Sequence, residues 1–515
     1  MSYWEARAAA RQAYYDRASA KTLRTVSRAY DRMVNQLHED VEKIIGNFAF
    51  YHDLTRDEAI AMLKQPAPMS VLDDLRQRLD TITNKRMQRA IEARLNAPAY
   101  TARINRLQAI RESARVNAVQ AADVEATVGQ VHLRDVLFEG YQRTMFDVQQ
   151  YTGLGFGFAG VDSRRMNQIL RYNWSGKQFS QRVWANANVT ARNLSQALTE
   201  AIMQGKTSRQ TFDTLIEEAN GSRFAANRLL RTETNYISNQ ATAEAYADAG
   251  IERYKYMAVL DGRTSRLCQE KDGQEFLLSE KEVGVNYPPL HPWCRSSVEP
   301  VIDGISHAHM KRWARDPVTG EEMKVPRTMT YSEWLEAMQE KHGITTVEQS
   351  RKMLLNRSRD MKQYQDYAAI VGKKELPKTL DGFQSIKYNE PEKWRLLKGY
   401  VSGVREGELS TLTGFAHYQS VAEEVTETLI GTVTSDGAEI KGFKTHFIDR
   451  LIGNYEQKRM GVSVPDARAV LVSEESIIRQ HVNSKGEVSR HYRNNVCGVT
   501  INPVTGLLIQ TNPRK

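Results

Sequence analysis

Two stretches of the 515-residue chain carry side chains able to do chemistry. The first runs from Leu260 to Pro300 and holds Cys268 and Cys294, two of the three cysteines in the chain, with His291 in the segment His291-Pro292-Trp293-Cys294. That spacing aims an imidazole and a thiolate at one point, and two thiolates with an imidazole suit a tetrahedral zinc. A closed structural site needs a fourth ligand, for which Asp261, Asp272 or a water is available. The plainer alternative is packing: two cysteines as small buried hydrophobes beside a hydrogen-bonded core histidine. No Glu or His base of a catalytic zinc motif adjoins the cluster, so a zinc-dependent hydrolase is the weakest reading.

The second stretch begins at Thr445-His446-Phe447-Ile448-Asp449-Arg450, which puts His446 and Arg450 one helical turn apart on one face. Arg459 lies beyond, and His491, Tyr492 and Arg493 cluster later on a strand. These groups suit metal-free RNA cleavage: a base takes the 2′-hydroxyl proton, the oxygen attacks the adjacent phosphorus in line, and an acid protonates the leaving oxygen. His446 can exchange a proton near neutral pH, and Arg450 can hold phosphate oxygens as charge builds. Tyr492, Arg493, Thr505 or Thr511 would complete the phosphate site. The alternative again needs no catalysis: His446 caps the helix or pairs with Asp449, Arg450 is a solvated charge, and the strand charges protect an exposed edge.

The elements that must position these groups follow from length and pattern. A chain this long is expected to form several domains. It has 71 Lys and Arg against 62 Asp and Glu, a net charge of +9, with no block of like charge. Such a balance permits contact with nucleic-acid phosphates without by itself arguing for it. Three cysteines exclude a disulfide framework and suit a reducing compartment. The charged N-terminus lacks a signal-peptide core and no run is long enough to cross a bilayer, so a cytosolic start and no membrane partner are expected.

Residues 1–155 read as a helical domain. Leu23, Val26, Tyr30, Val34, Leu37, Val41 and Ile44 fall on one face of a long helix ending near Gly46. Another helix starts at Ser70, with Pro66, Pro68, Pro98 and Gly129 as punctuation and a break at Gly153, Gly155 and Gly157. Residues 156–303 continue with a stripe of Leu194, Leu198 and Ile202, a stop at Gly205, a cap at Thr207 or Ser208, and a helix carrying Phe212, Leu215 and Ile216. A third helix, Asn227 to Ala249, precedes a strand in which Tyr254 and Tyr256 alternate. Arg231 or Arg263 is expected to pair with Asp261 or Glu233 and clamp the loop to that helix. Residues 304–375 read as an extended connector with short helices. Residues 376–515 show a helix followed by strand-like runs at Ala469–Val472, Glu487–Arg493, Cys497–Ile501 and Leu507–Gln510. The fold class expected is multidomain: mostly α in the N-terminal and middle regions, with a small Cys/His-loop α+β domain, then a C-terminal α+β module with a helix on a small antiparallel sheet.

Arg231-Thr232-Glu233, Asp261-x-Arg263, Cys268, Asp272-Gly273, Pro289-Leu290-His291-Pro292-x-Cys294-Arg295 and Pro300 together resemble the head morphogenesis, or minor head, proteins of tailed bacteriophages of the Mu protein F type, over roughly 160–303. Trp4, Glu5 and Arg7 resemble the opening of such proteins, and Thr330, Tyr331 and Trp334 the tail that follows their His-Pro-x-Cys motif. Family members often carry further cysteines where Ser265 and Ser296 stand here. Residues 440–513 resemble nuclease modules of the barnase, EndoU, colicin and RelE type that occur fused to phage head proteins. The resemblance implies a virion protein made in the host cytoplasm and located near the portal vertex. Its partners would be the portal protein, other head proteins and packaged double-stranded DNA, with a role in morphogenesis and in packaging or ejection. One structural zinc at Cys268, His291 and Cys294 and RNA as substrate of a C-terminal ribonuclease complete the expectation. The alternative is a structural or DNA-binding virion protein whose C-terminal module is a non-catalytic interaction domain.

Overall fold

The computed structural model describes residues 3–45, 58–97 apart from positions 59, 60, 62 and 68, then 105–153, 163–302, 310–483 and 486–514. Gly46, Pro68, Pro98, Gly155, Gly157, Gly160 and Asp303 lie outside the described residues, as do the side chains of Trp4, Glu5 and Arg7. The chain divides into two compact units, 1–316 with 321–337 and 338–515 with 317–320. As the patterns require, the N-terminal and middle regions are mostly helical and the C-terminal region is α+β.

The first unit is built on α1 (Tyr3–Ile45), α2 (Met69–Leu79), α3 (Lys85–Leu95), α4 (Arg106–Thr152), α5 (Ser163–Arg171), α6 (Phe179–Met203) and α7 (Ser208–Asp248). The predicted stripe on α1 from Val26 to Ile44 is buried, and α4 is its main partner. Residues Ala109, Ala114, Ala118, Ala121 and Ala122 keep α4 thin enough for neighbours on several sides, which is how a helix comes to lie at the centre of a bundle. Gly129 serves the same end: it lies inside α4, where a Cβ would strike the ring of Phe179, so it allows a close approach instead of ending a helix. Leu194, Leu198 and Ile202 are buried on α6, Gly205 takes φ +66° beyond its end, and Thr207 caps α7 in a capping box with Gln210. The two helices expected between Ser208 and Ala249 are one continuous α7, because Gly221 alone cannot break so long a packed run.

The chain next forms β1 (Arg253–Met257), α8 (Arg266–Lys271), β2 (Glu275–Leu277) and β3 (Ser297–Val301), an antiparallel sheet in the order β2-β1-β3. Tyr254 and Tyr256 share one fully buried face of β1. The described part of 304–375 is ordered structure in place of an extended connector. The hairpin β4 (Lys311–Arg315) and β5 (Glu322–Pro326) is followed by α9 (Tyr331–His342) and the 28-residue α10 (Ile344–Val371). Arg312 and Tyr331 explain part of this: both reach Asp272, whose carboxylate accepts from Arg312 at 3.2 Å and from the Tyr331 amide at 2.8 Å.

In the second unit α10 is joined by α11 (Leu380–Asn389), α12 (Pro391–Arg405), α13 (Phe415–Thr428), β6 (Gly442–Phe443), α14 (Thr445–Ile452), α15 (Val464–Val472), β7 (Ile477–Val482), β8 (Val488–Arg493), β9 (Cys497–Asn502) and β10 (Leu507–Pro513). The sheet order is β6-β10-β9-β8-β7, antiparallel except for the short β6 to β10 pair. Ala469–Val472, expected as a strand, is the end of α15, where Ser463 accepts from the Asp466 amide and Pro465 enters the first turn. Residues Tyr492, Cys497, Val499, Ile501 and Leu508 face the helices and share a core with Phe447, Ala467 and Leu471. Residues paired directly across strands project to the same side. The opposite face therefore carries Arg479 and His491 in one row with Thr500 and Gln510, and Arg493, Gly498 and Asn512 in the next.

Candidate functional site

The Cys/His loop is held against α7 and β1 by backbone contacts. Thr232 Oγ1 accepts from the Trp293 amide at 3.0 Å, Asn235 and Asn239 both donate to the Ser296 carbonyl, at 3.0 and 3.3 Å, and Tyr287 donates to the Asn239 carbonyl at 2.6 Å. This is the clamp; of the ion pairs expected, that of Arg263 with Asp261 forms within the loop, while Arg231 and Glu233 on the helix take other partners. Arg231 points to Asn227 (3.1 Å) and Asp16 (3.6 Å), while Glu233 accepts from the indole of Trp174 at 3.3 Å. Arg263 lies 3.7 Å from Asp261, but the main partner of Asp261 is Arg295, which donates to both of its oxygens at 2.6 and 2.8 Å. Burial pushes the Asp261 carboxyl up, and the hydrogen bonds from Arg295 outweigh it, so the net direction is down. With both oxygens taken, Asp261 is withdrawn from the ligand set; the same holds for Asp272.

Cys268, His291 and Cys294 do converge. Sγ of Cys268 is 3.7 Å from Sγ of Cys294 and 3.3 Å from Nε2 of His291, and the three ligand atoms lie within 4.8 Å of one another. A tetrahedral zinc spaces its ligands about 3.8 Å apart from sulfur to sulfur and about 3.5 Å from sulfur to nitrogen; the two distances from Cys268 are near these, and the group is close enough to bind a metal ion. Nδ1 of His291 is 2.7 Å from the Pro292 carbonyl, which assigns the proton to Nδ1 and leaves the Nε2 lone pair for the cluster. Tyr256 donates to Sγ of Cys268 at 3.3 Å. Ser265 Oγ stands 2.7 Å from Nε2. The thiol of Cys268 is driven down because Cys294 hydrogen-bonds to its sulfur, with His291 and Ser265 adding to the effect; Cys294 is pushed up by the same bond. One thiolate is thus stabilised before any cation arrives.

The second cluster is assembled by α14 and the sheet. Arg450 donates from Nε to Nε2 of His446 at 3.2 Å and from Nη1 to Oδ1 of Asn512 at 3.0 Å. Asn512 pairs with Gly498 on β9, and the imidazole of His491 lies over Gly498, occupying the space a Cβ would need. His491 is fixed through Nδ1, 3.0 Å from Oγ1 of Thr500. Arg450 thus bridges His446 on the helix to Asn512 on β10, and His491 lies over Gly498, the residue paired with Asn512. His446 is lowered by burial and by Arg450, and His491 by burial and by Arg493 and Arg479. Asp449 does not pair with His446; it is buried against Arg459, whose guanidinium also donates to the carbonyls of Asp449 and Arg450.

Of the other residues named for this site, Arg493 lies exposed on the face that carries His491. Tyr492 and Thr511 face the core: the Tyr492 hydroxyl donates to Asp436 and to Thr434, and Thr511 Oγ1 donates to the Gly498 carbonyl at 3.0 Å. Thr505 sits in the exposed β9–β10 turn, at the opposite end of β10 from Asn512. Asn512 is the addition, and His491, already named in the strand cluster, stands with it. Period-two alternation on β8 is the signal that separates His491 and Arg493 from Tyr492; nothing local singles out Asn512.

A helical scaffold carrying a Cys/His loop beside a three-stranded sheet is thus one class of structure, and a helix-on-sheet module carrying the His446–Arg450–Asn512 chain is another. Residues 192–299 match the family described as Phage Mu protein F like protein, which supports reading the chain as a phage head protein of that kind. A stretch of 210 residues is 23% identical to the NAD(+)-arginine ADP-ribosyltransferase EFV of Enterococcus faecalis, covering 38% of this chain and 42% of that protein. The chain therefore spans less than half of that relative. No solved structure matches it. Among the described residues no helix is long and apolar enough to cross a membrane.

Proposed function

We propose that this phage head protein acts in morphogenesis near the portal vertex and carries a metal-independent ribonuclease in its C-terminal unit. The observation that supports the nuclease is the hydrogen-bonded chain from His446 through Arg450 to Asn512, with His491 over Gly498, the strand partner of Asn512, and Arg479 and Arg493 on the face that carries His491. In the reaction proposed, RNA displaces the Arg450 hydrogen bond, and neutral His446 Nε2 accepts the 2′-hydroxyl proton. The 2′ oxygen bonds the phosphorus, the bond to the 5′ oxygen breaks, and protonated His491 supplies the proton to that oxygen. Arg450 neutralises the charge that builds on the phosphate. The products are a 2′,3′-cyclic phosphate and a 5′-hydroxyl.

The test is full-length protein with end-labelled RNA in EDTA, beside His446→Ala and Arg450→Ala. Cyclic-phosphate products lost in both variants support the reading. A folded protein that leaves RNA intact, or variants that cut as well as the parent, would return the unit to an interaction role. Release of nicotinamide from NAD+ would favour instead the activity in the name of the Enterococcus faecalis relative.

For the first unit, the proposal is one structural zinc held by Cys268, His291 and Cys294, with Ser265, Ser296 or water in the fourth position. The spacing of the three ligand atoms supports it. The zinc would tie the loop to α8 and do no chemistry. Portal subunits, other head proteins and packaged DNA are the proposed partners, and absence of the chain from purified heads would remove them.

A further inference from the structure

A groove of about 740 Å³ opens between α3, α4 and α6, lined by Arg94, Arg111, Arg115 and Arg192 against Glu112 and Glu200. The two carboxylates do not neutralise it. Glu112 is buried and engaged by Arg94 at 2.7 Å with Arg115 at 4.0 Å, and Glu200 accepts from Gln196 at 2.8 Å. Arg111 and Arg192 are exposed, and neither has an acceptor among the described residues. They project from different helices, so their guanidinium groups line the groove instead of closing on one point. The rest of the lining is neutral and polar apart from Ala191; it has no aromatic ring or apolar slot to hold a base.

We propose that this groove binds the phosphodiester backbone of a nucleic-acid strand, with Arg111 and Arg192 as the groups that pair with phosphate. Guanidinium groups pair with phosphate oxygens through two parallel hydrogen bonds, and a lining without stacking surfaces gives binding that ignores sequence. Arg94, held by Glu112, acts as a positioning residue for the groove wall. The proposal is independent of the C-terminal nuclease reading.

The experiment uses the full-length chain and a fluorescein-labelled DNA duplex of arbitrary sequence, which lacks a 2′-hydroxyl and cannot be cut by the proposed chemistry. Affinity is followed across salt concentration for the parent, for Arg111→Ala/Arg192→Ala, and for Arg479→Ala/Arg493→Ala in the second unit. The first double variant is expected to bind about 10-fold more weakly near 0.15 M salt, with the slope of log K against log salt reduced by about 2, one for each phosphate left unpaired. Arg111→Lys/Arg192→Lys, which keeps the charge, should retain most of the slope. Inorganic tripolyphosphate, the second probe, should compete only at high concentration. Equal binding and slope in the parent and a folded Arg111→Ala/Arg192→Ala protein would overturn the proposal. So would a reduced slope in the Arg479/Arg493 variant alone, or tight saturable binding of tripolyphosphate without binding of DNA.

Discussion

The Cys268 cluster and the His446 cluster both place imidazoles beside reactive partners, yet their surroundings are opposite. Around Cys268 the neighbours are already bonded: Tyr256 on the sulfur, Pro292 on the imidazole, and Asn235 and Asn239 on the adjoining backbone. Cys268 and Cys294 are 2% and 3% exposed, which leaves room for a cation and none for a macromolecular substrate. His446 and Arg450, by contrast, are half-buried. The helices cover the Tyr492 face of the sheet, while Arg479 and Arg493 stand exposed on the other. A clamp needs closure and a polymer-cutting site needs access, and the two regions divide along that line.

The largest effect that would break this division is on catalysis. His491→Ala is expected to slow RNA cleavage about 10²- to 10⁴-fold, the range a positioned acid or base supplies. Tyr492→Phe, one residue away on the core face, should leave the rate unchanged while costing about 1 kcal/mol of stability through its lost hydroxyl bond. Equal rate losses in the two would show that the faces are assigned wrongly. The pH profile gives a second reading. The base His446 is lowered from the ordinary histidine value, so it stays unprotonated to lower pH than a free imidazole. The acid limb should therefore fall below that ordinary value, and because burial with Arg493 and Arg479 lowers the proposed acid His491 as well, the alkaline decline should also begin below it. An acid limb above the ordinary histidine value would exclude His446 as the base.

Metal content comes next. The purified chain is expected to carry about one zinc, and Cys294→Ala to carry none, with the first unit melting at a lower temperature and RNA cleavage untouched. Parent protein lacking zinc would reduce the cluster to a buried thiol pair, and a rate that followed zinc content would contradict the separation of the two sites.

How much of this is legible in the sequence depends on the range of the signal. The α1 stripe, the Thr207 cap and the Tyr254/Tyr256 alternation are local patterns, and each appears where its period places it. His291 and Cys294 are three residues apart, so their convergence is readable too. Asp261 reads as a ligand because its partner, Arg295, is 34 residues away, and nothing local distinguishes an occupied carboxylate from a free one. The strand β7 escapes a pattern reading because its residues are exposed on both faces and alternate in no way that burial would impose. Asn512 joins the site only through the β9–β10 register and its bond from Arg450, 62 residues away.

The last effect expected is on stability in the first unit, at Glu233 on α7, beside Trp174. Its side chain accepts one bond from Trp174, and among the described residues its Oε1 has no partner. Burial raises its pKa from 4.5 to about 7. In the folded chain Glu233 keeps its proton while the unfolded chain releases it, so stability falls as pH rises from about 4.5 to about 7 and is level above that. Glu233→Gln cannot ionise and can still accept from the indole. It should match the parent near pH 4 and exceed it at pH 8 by at most about 3 kcal/mol, the linkage value of such a shift. Urea melts at the two pH values check this. Equal stability at pH 8 would mean that water or a cation already satisfies the carboxylate, and that this part of the first unit admits solvent as the His446 region does.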